Sequence, residues 1–188
     1  MTNRDLALRL TPVTPAHAEA LQALFEDPAV TEHLTFPTPY PPGEMAKYIG
    51  DAIRQRAQGT RHVFAIVEPD GSVSGLALLK NVDLLVREGE VGYAMGLAYW
   101  GGGRATQAAA AVLAFGFDSL GLETIHAVCT AANTASLRVL EKLGFTEVER
   151  TEEYQERWGE ARAQVRASLT ASHWRRVRPS IRGTATIT

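Results

Sequence analysis

The pattern of apolar and polar positions divides the first third of the chain into a strand, two helices and a stiff loop. Residues Leu6 to Leu10 alternate apolar with small or charged side chains, which predicts a strand. Apolar side chains recur at helical spacing over about 14–25 and about 42–58, which predicts two helices. Between them, residues 36–42 contain four prolines, which exclude a helix interior or a central strand and predict a stiff loop.

The apolar pattern then changes from helical spacing to strand-like runs and predicts a β-meander. Residues 62–68, 72–80 and 90–97 are strand-like, and Pro69-Asp70-Gly71 is a hairpin signal between the first two. Further along, the pattern predicts a helix over about 105–120, a buried strand over 124–130, a helix from Asn133 to about 143, and strands over 145–150 and 164–172.

The order of these elements is β-α-α-β-β-β-α-β-α-β-β. Its central strand–helix–strand unit favours one parallel pair inside a mostly antiparallel sheet. We therefore expect a mixed α/β (α+β) layer fold rather than a doubly wound one. The length of 188 residues suits a single domain, which we place at 1–178, and the segment 179–188 is expected to be a flexible tail.

Composition and charge exclude several kinds of partner and of binding site. The net charge of −2 provides no general attraction to nucleic acid or to anionic lipid, so neither is expected as a partner. A single cysteine, Cys129, excludes an internal disulfide framework and a multi-cysteine metal site, and it lies in an apolar run typical of a small buried side chain. No apolar run has the length of a membrane span, and the histidines show no metal-ligand spacing. We expect a cytoplasmic protein that holds no metal.

The segment Gly101-Gly102-Gly103 lies at a strand-to-helix turn. Glycines there let the backbone approach a ligand, and the helix start adds unpaired amides and a partial positive charge. The turn is therefore a candidate phosphate cradle, and the alternative is a flexible surface loop. A dinucleotide fingerprint beginning at Gly101 would need glycine where Thr106 stands, and no Gly-Lys-Ser/Thr follows to complete a nucleotide-binding P-loop.

Three motifs follow one another along the chain. They are Glu90-Val91-Gly92-Tyr93, then Tyr99-Trp100-Gly101-x-Gly103-x-Ala105-Thr106, then Asn133-x-x-Ser136-x-x-x-Leu140-x-Lys142-x-Gly144-Phe145. Together they resemble the GNAT superfamily of N-acetyltransferases, in particular its ribosomal-protein-alanine acetyltransferase subgroup, over about residues 6–150. The resemblance implies a three-layer fold in which the parallel strand pair is splayed and helices flank the sheet. It also implies acetyl-CoA as acetyl donor and an amine acceptor, either a small molecule or a protein N-terminus. A homodimer is compatible with the family, but no residue pattern decides it.

The resemblance implies two kinds of contact with the donor. The backbones of Tyr93, Met95 and Leu97 would line a free strand edge beside the pantetheine. Leu97 stands where the family usually has proline, and Gly102 replaces a common basic residue. Arg104 either supplies the phosphate charge from a shifted position or is a solvated residue of the helix start. The remaining implied contacts are the backbone amides of Gly101, Gly102, Gly103, Arg104, Ala105 and Thr106, together with Asn133.

Two residues are candidates for the chemistry. Many family members protonate the leaving thiolate from a tyrosine, but this chain has Leu140 there, so the resemblance implies Ser136 as the acid. The alternative for Ser136 is a capping serine in the first turn of a helix, and Asn133 also suits the N-cap itself. Glu90 is the candidate base, because it shares a strand face with the small residues Gly92 and Ala94. Its alternative is an exposed or ion-paired carboxylate.

The proline-rich loop carries two aromatic residues, Phe36 and Tyr40. By resemblance it lies near the acceptor, where these rings would grip a small amine or a peptide end; the alternative is a structural linker between two helices. We expect an acetyl-CoA-dependent N-acetyltransferase that transfers the acetyl group directly to a primary amine. The alternative is a non-catalytic acyl-CoA-binding or regulatory domain.

Overall fold

A single mixed sheet forms the middle layer of the protein. The computed structural model describes residues 8–38, 40–156, 158–181 and 185–188. The strands are β1 (Arg9–Pro12), β2 (His62–Val67), β3 (Val73–Asp83), β4 (Glu88–Met95), β5 (Thr124–Thr130), β6 (Thr146–Gln155), β7 (Glu160–Thr170) and β8 (Thr186–Ile187). They are ordered β6-β7-β5-β4-β3-β2-β1-β8 across the sheet.

The helices are α1 (Ala18–Phe25), α2 (Pro28–Thr31), α3 (Glu44–Ala57), α4 (Arg104–Ala114), α5 (Thr134–Lys142) and α6 (Ala171–Val177). Two of them were not predicted. Helix α2 is a single turn that Asp27 caps by accepting a hydrogen bond from the Ala29 amide at 2.9 Å. Helix α6 begins where a strand was expected to end, because the Thr170 hydroxyl caps it by accepting from the His173 amide at 3.3 Å.

The predicted helix over about 105–120 changes its winding before it ends. Helix α4 stops at Ala114, and a π-helical turn, Phe115–Ser119, follows it. Gly116 lies against β5 there, since a Cβ at this position would come within 2.7 Å of the Ile125 side chain. The close packing of this turn on the sheet is a long-range contact that a helical period does not reveal.

Helices cover both faces of the sheet, which gives the three layers. The alternation along β2 illustrates this, because Phe64 and Ile66 face the core beneath α4, whereas Val63, Ala65 and Val67 face the core beneath α1 and α3. A strand buried on both faces shows a continuous apolar run rather than an alternating pattern. The predicted mixed α/β fold is confirmed.

The parallel pair at the middle of the sheet is splayed. Strands β4 and β5 pair only where Glu88, Gly89 and Glu90 lie beside Thr124–His126. Beyond that point β5 continues along β7, while residues 91–95 of β4 remain paired to β3 alone. A wedge-shaped gap therefore opens at the carboxyl end of β4, and we call it the β4–β5 gap.

The sheet ends at a second parallel pair that was not predicted. Thr186–Ile187, within the segment expected to be a flexible tail, pairs with Arg9 and Leu10 of β1. The first predicted strand began at Leu6, but residues 1–7 lie outside the described part of the chain. As described, β1 begins at Arg9.

Candidate active site

The edge of β4 presents free peptide groups to the β4–β5 gap. The Gly96 amide donates to the Ser74 carbonyl at 2.9 Å, which fixes the alternation of hydrogen bonding along this antiparallel ladder. The peptide groups of Tyr93 and Met95 therefore point away from β3 and into the gap, beyond the last pairing with β5 at Glu90 and His126.

This free edge ends earlier than predicted. Strand β4 stops at Met95, and Leu97 begins a 3-10 turn in which its carbonyl accepts from the Trp100 amide at 3.2 Å. Leu97 therefore lies outside the strand edge on which it was expected. The Met95 carbonyl is also occupied, because the Trp100 indole N–H donates to it at 2.8 Å. Tyr93 consequently offers the edge groups nearest the middle of the gap.

The glycine turn has the backbone that an anion site requires. Gly101 and Gly103 adopt left-handed φ values of +80° and +77°, and Gly103 is the N-cap of α4. The helical ladder begins with the Gln107 amide donating to the Gly103 carbonyl at 3.1 Å, so the amides of residues 104–106 precede the ladder. A Cβ added to Gly101 or Gly103 would meet no atom within 4 Å, which leaves open space in front of the turn.

Arg104 is not the solvated residue of the helix start that one of its two alternatives expected, because it pairs with a buried carboxylate. Its Nε donates to both carboxylate oxygens of Glu68, at 2.9 and 3.1 Å, and Glu68 is buried. The guanidinium also lies over the Tyr99 ring, 5.7 Å from its centre. Glu68 offsets this charge through Nε, whereas Nη1 of Arg104 lies beside the glycine turn, because a Cβ added to Gly102 would come within 2.5 Å of it.

Ser136 and Tyr93 meet across the β4–β5 gap. Asn133 caps α5 by accepting from the Ser136 amide at 3.0 Å, which is the structural role weighed for it. The Ser136 hydroxyl is left free of the cap and lies 2.9 Å from the Tyr93 hydroxyl. Burial raises the pKa of Tyr93 well above its ordinary value, so the phenol stays neutral.

Glu90 lies at the closed end of the gap, and its side chain points to the opposite face of the sheet from Tyr93. Its carboxylate pairs with the Lys80 ammonium at 2.9 Å and accepts from the Asn81 side-chain amide at 3.2 Å. The side chain is 17% exposed and lines a cavity of about 250 Å³, to which His33 and Cys129 also contribute. Glu90 is thus ion-paired and faces a cavity, so both roles weighed for it are compatible with its surroundings.

Cys129 is not the fully buried side chain that the apolar run predicted. It is half-buried and lines the same cavity as Glu90, close to Ser136. Burial raises the pKa of this thiol, which keeps it protonated at neutral pH and makes it a poor nucleophile.

Phe36 and Tyr40 pack inward rather than toward an acceptor. Phe36 makes edge-on contacts with Phe25, Tyr40 and Tyr48 at ring-centre distances of 5.5, 5.2 and 5.3 Å. Tyr40 is only 4% exposed. The rings therefore join the core between α1 and α3, which corresponds to the structural-linker alternative.

A larger cavity of about 700 Å³ opens outside the smaller one. We call the larger one the outer cavity and the one beside Glu90 the inner cavity. Both are lined by Thr35 and Trp158, so they adjoin. The outer cavity lies between α2 with its following loop and the β6–β7 hairpin, and is lined by Pro28, Ala29, Glu32, Thr35, Pro37, Thr38, Trp158 and Arg162. Sequence reasoning missed these residues because they belong to no motif; a tryptophan among charged residues was the one local signal.

Among the described residues, no group of three or more His, Cys, Asp or Glu side chains is placed to hold a metal ion. The described helices include none that is long and apolar enough to span a membrane.

Comparison with known proteins identifies the fold and the family. A family model described as "Acetyltransferase (GNAT) domain" matches residues 7–146. The chain is 30% identical over 130 residues to the uncharacterized N-acetyltransferase p20 of Bacillus licheniformis, covering 68% of this chain and 72% of that protein.

Two solved structures share the fold. The spermidine N-acetyltransferase of Vibrio cholerae, in complex with CoA and spermine, matches with a TM-score of 0.79 and 17% identity over 89% of this chain and 98% of the other. RimL, the ribosomal L7/L12 α-N-protein acetyltransferase in complex with CoA, matches with a TM-score of 0.81 and 17% identity over 89% and 96%. With its splayed strand pair and its glycine turn at the start of α4, the chain belongs to the GNAT family of acetyltransferases, enzymes that use acetyl-CoA as the acetyl donor.

Proposed function

We propose that the protein transfers the acetyl group of acetyl-CoA directly to a primary amine, carried by a small molecule or by a protein N-terminus. The observation that carries this proposal is the β4–β5 gap. The gap brings the Ser136 hydroxyl on one face of the sheet close to the cavity lined by Glu90 on the other. A donor in the gap and an acceptor in that cavity would meet between these two side chains.

Different backbone groups of the site suit different parts of acetyl-CoA. The amides of residues 101–106 suit the pyrophosphate, because the start of a helix offers unpaired N–H groups and a partial positive charge. The free peptide groups of Tyr93 suit the amides of the pantetheine arm, as one more strand would on a sheet edge. These contacts would place the thioester near Ser136.

The residues also suit the proton transfers. The amine loses one proton when it forms its bond to the acetyl carbon, and Glu90 is placed to accept it. The thiolate that leaves as the carbon–sulfur bond breaks gains one proton, and Ser136 is placed to donate it. Because the thiol of Cys129 remains protonated, direct transfer is favoured over an acetyl-enzyme.

The acceptor class follows from the cavities. Together the inner and outer cavities extend from Glu90 to the protein surface, which suits an amine on an extended chain. Spermine, bound in the Vibrio cholerae structure, and the protein α-amine on which RimL acts both present a primary amine on such a chain. Either kind of acceptor fits the proposal.

Acceptor-dependent release of CoA tests the proposal. The purified protein is incubated with acetyl-CoA and a panel of polyamines, small monoamines and peptides with free N-termini, and free thiol is measured over time. We expect thiol release to depend on at least one of these amines. Tight CoA binding by calorimetry without turnover on any amine would favour the non-catalytic alternative instead.

The role of Glu90 makes a separate prediction. Glu90→Gln retains the size of the side chain but removes the proton acceptor and the charge that pairs with Lys80. We expect kcat to fall about tenfold and the acidic limb of the kcat/KM pH profile to flatten, with CoA affinity nearly unchanged. Glu123→Gln is the control, because this exposed carboxylate pairs with Arg87 outside the cavities. A pH profile in Glu90→Gln that matches the wild type would exclude Glu90 as the base.

A further inference from the structure

The Tyr93 side chain makes a contact that donor binding does not require. On the proposed function, the strand edge at Tyr93 acts through its peptide groups, whereas its hydroxyl reaches across the gap to α5. We propose that Tyr93 is a positioning residue for the reaction, and that its hydroxyl holds the Ser136 hydroxyl in the orientation that donates a proton to the leaving thiolate. This inference rests on the proposed function.

The proposal assigns a direction to the hydrogen bond between the two hydroxyls, in which either oxygen can be the donor. The Tyr93 hydroxyl lies 2.9 Å from Ser136 Oγ and 3.3 Å from the Ser136 carbonyl oxygen. A phenol has one proton to donate, and the proposal places it on the shorter contact. When Tyr93 donates to Ser136 Oγ, the serine proton is free to point at another acceptor.

That other acceptor lies in the β4–β5 gap. Asn133 bonds the Ser136 amide rather than its hydroxyl, so the cap does not take up the serine proton. The Cys129 side chain also lies close to Ser136. On the side of the donor, the CoA sulfur would be the acceptor of the serine proton.

Accepting a hydrogen bond makes a hydroxyl a better donor, because successive hydrogen bonds polarise one another. Burial raises the pKa of Tyr93, which keeps its phenol in the donating form over the working range of pH. Tyr93 itself transfers no proton. Ser136 gives its proton to the thiolate sulfur, Glu90 takes one from the amine, and water returns that proton to Ser136 after the products leave.

The groups that face Tyr93 and Ser136 are few. The thiol of Cys129 approaches from β5, and Arg150 and Glu147 of β6 act on Cys129 from further away. Arg150 and Glu147 pair with each other at 3.1 Å, so the two charges offset one another. Tyr93 and Ser136 therefore form a largely neutral hydroxyl pair.

Tyr93→Phe tests the inference because it removes only the hydroxyl. We expect kcat to fall about tenfold, with the CoA dissociation constant and the KM for acetyl-CoA within about twofold of the wild type. In a Ser136→Ala background the same substitution should have no further effect on kcat, because the hydroxyl that it orients is already absent. Tyr154→Phe is the matched control, since that tyrosine is 67% exposed on β6.

These experiments distinguish a failure of the role of Tyr93 from a failure of the proposed function. Unchanged kcat in Tyr93→Phe, or losses that multiply in the double variant, would overturn the role of Tyr93 and leave the proposed function intact. Absence of turnover by the wild type on every amine would overturn both. The thermal unfolding midpoints of the two tyrosine variants are compared to detect any loss of stability. A fall in kcat that comes with lost CoA binding would mean a structural role for Tyr93.

Discussion

Replacing Ser136 with alanine is expected to lower kcat by about 100-fold, at the lower end of what a positioned general acid contributes. The leaving thiolate would then have to take its proton from water, since the side chain that faces it would carry none. CoA affinity is expected to stay within about twofold of the wild type. The α5 cap should also survive, because Asn133 accepts from the Ser136 amide, which alanine retains.

Steady-state kinetics on a reactive amine, with CoA binding measured by calorimetry, separates chemistry from binding. Ser172→Ala is a matched control, because Ser172 is an exposed serine in the first turn of α6. A kcat in Ser136→Ala within threefold of the wild type would exclude the serine as proton donor. Loss of CoA binding in proportion to kcat would assign it a binding role instead.

Replacing Gly103 with valine is expected to weaken CoA binding at least about tenfold, which corresponds to about 1.4 kcal/mol. Two effects contribute to the change. A side chain would occupy the open space in front of the amides proposed to bind the pyrophosphate, and valine would resist the left-handed backbone at φ +77°. The second effect also lowers the free energy of unfolding, so the test needs a control with equal backbone strain.

Gly59 provides that control. It has φ +75°, a Cβ there would also meet no atom within 4 Å, and it follows the end of α3, away from the glycine turn. Chemical denaturation should show similar losses in the two variants, of about 1–2 kcal/mol. Calorimetry should show weaker CoA binding for Gly103→Val alone. Equal CoA affinities in the two variants would exclude the turn as the pyrophosphate site.

Much of the fold follows from local patterns in the chain. The boundaries of β5, at Thr124 and Thr130, agree with the apolar run, and Asn133 caps α5 as its side chain predicts. Gly103 ends a turn and starts a helix because its left-handed backbone favours glycine. Each of these outcomes depends on neighbours within a few residues, and that range is what periodicity and capping rules describe.

The order of elements also predicted the parallel pair. A strand, a helix and a second strand in succession favour a parallel neighbour, and the resemblance implied that the two would diverge. The exact place of divergence, beyond Glu90 and His126, came from the structure. It depends on β5 pairing with β7 along its whole length, a contact between residues about 40 positions apart.

The partners of the site residues lay beyond any local pattern. Arg104 pairs with Glu68, which precedes it by 36 positions, and Tyr93 reaches Ser136 across 43 positions. Phe36 and Tyr40 turned inward because Phe25 and Tyr48 offered a dry aromatic surface between α1 and α3. Hydrophobic burial and charge pairing act between whichever side chains the sheet brings together, and strand order sets those neighbours. The sequence therefore determined the residue types and their local backbone, whereas the hydroxyl pair, the buried ion pair and the two cavities form only when the strands assemble into the sheet.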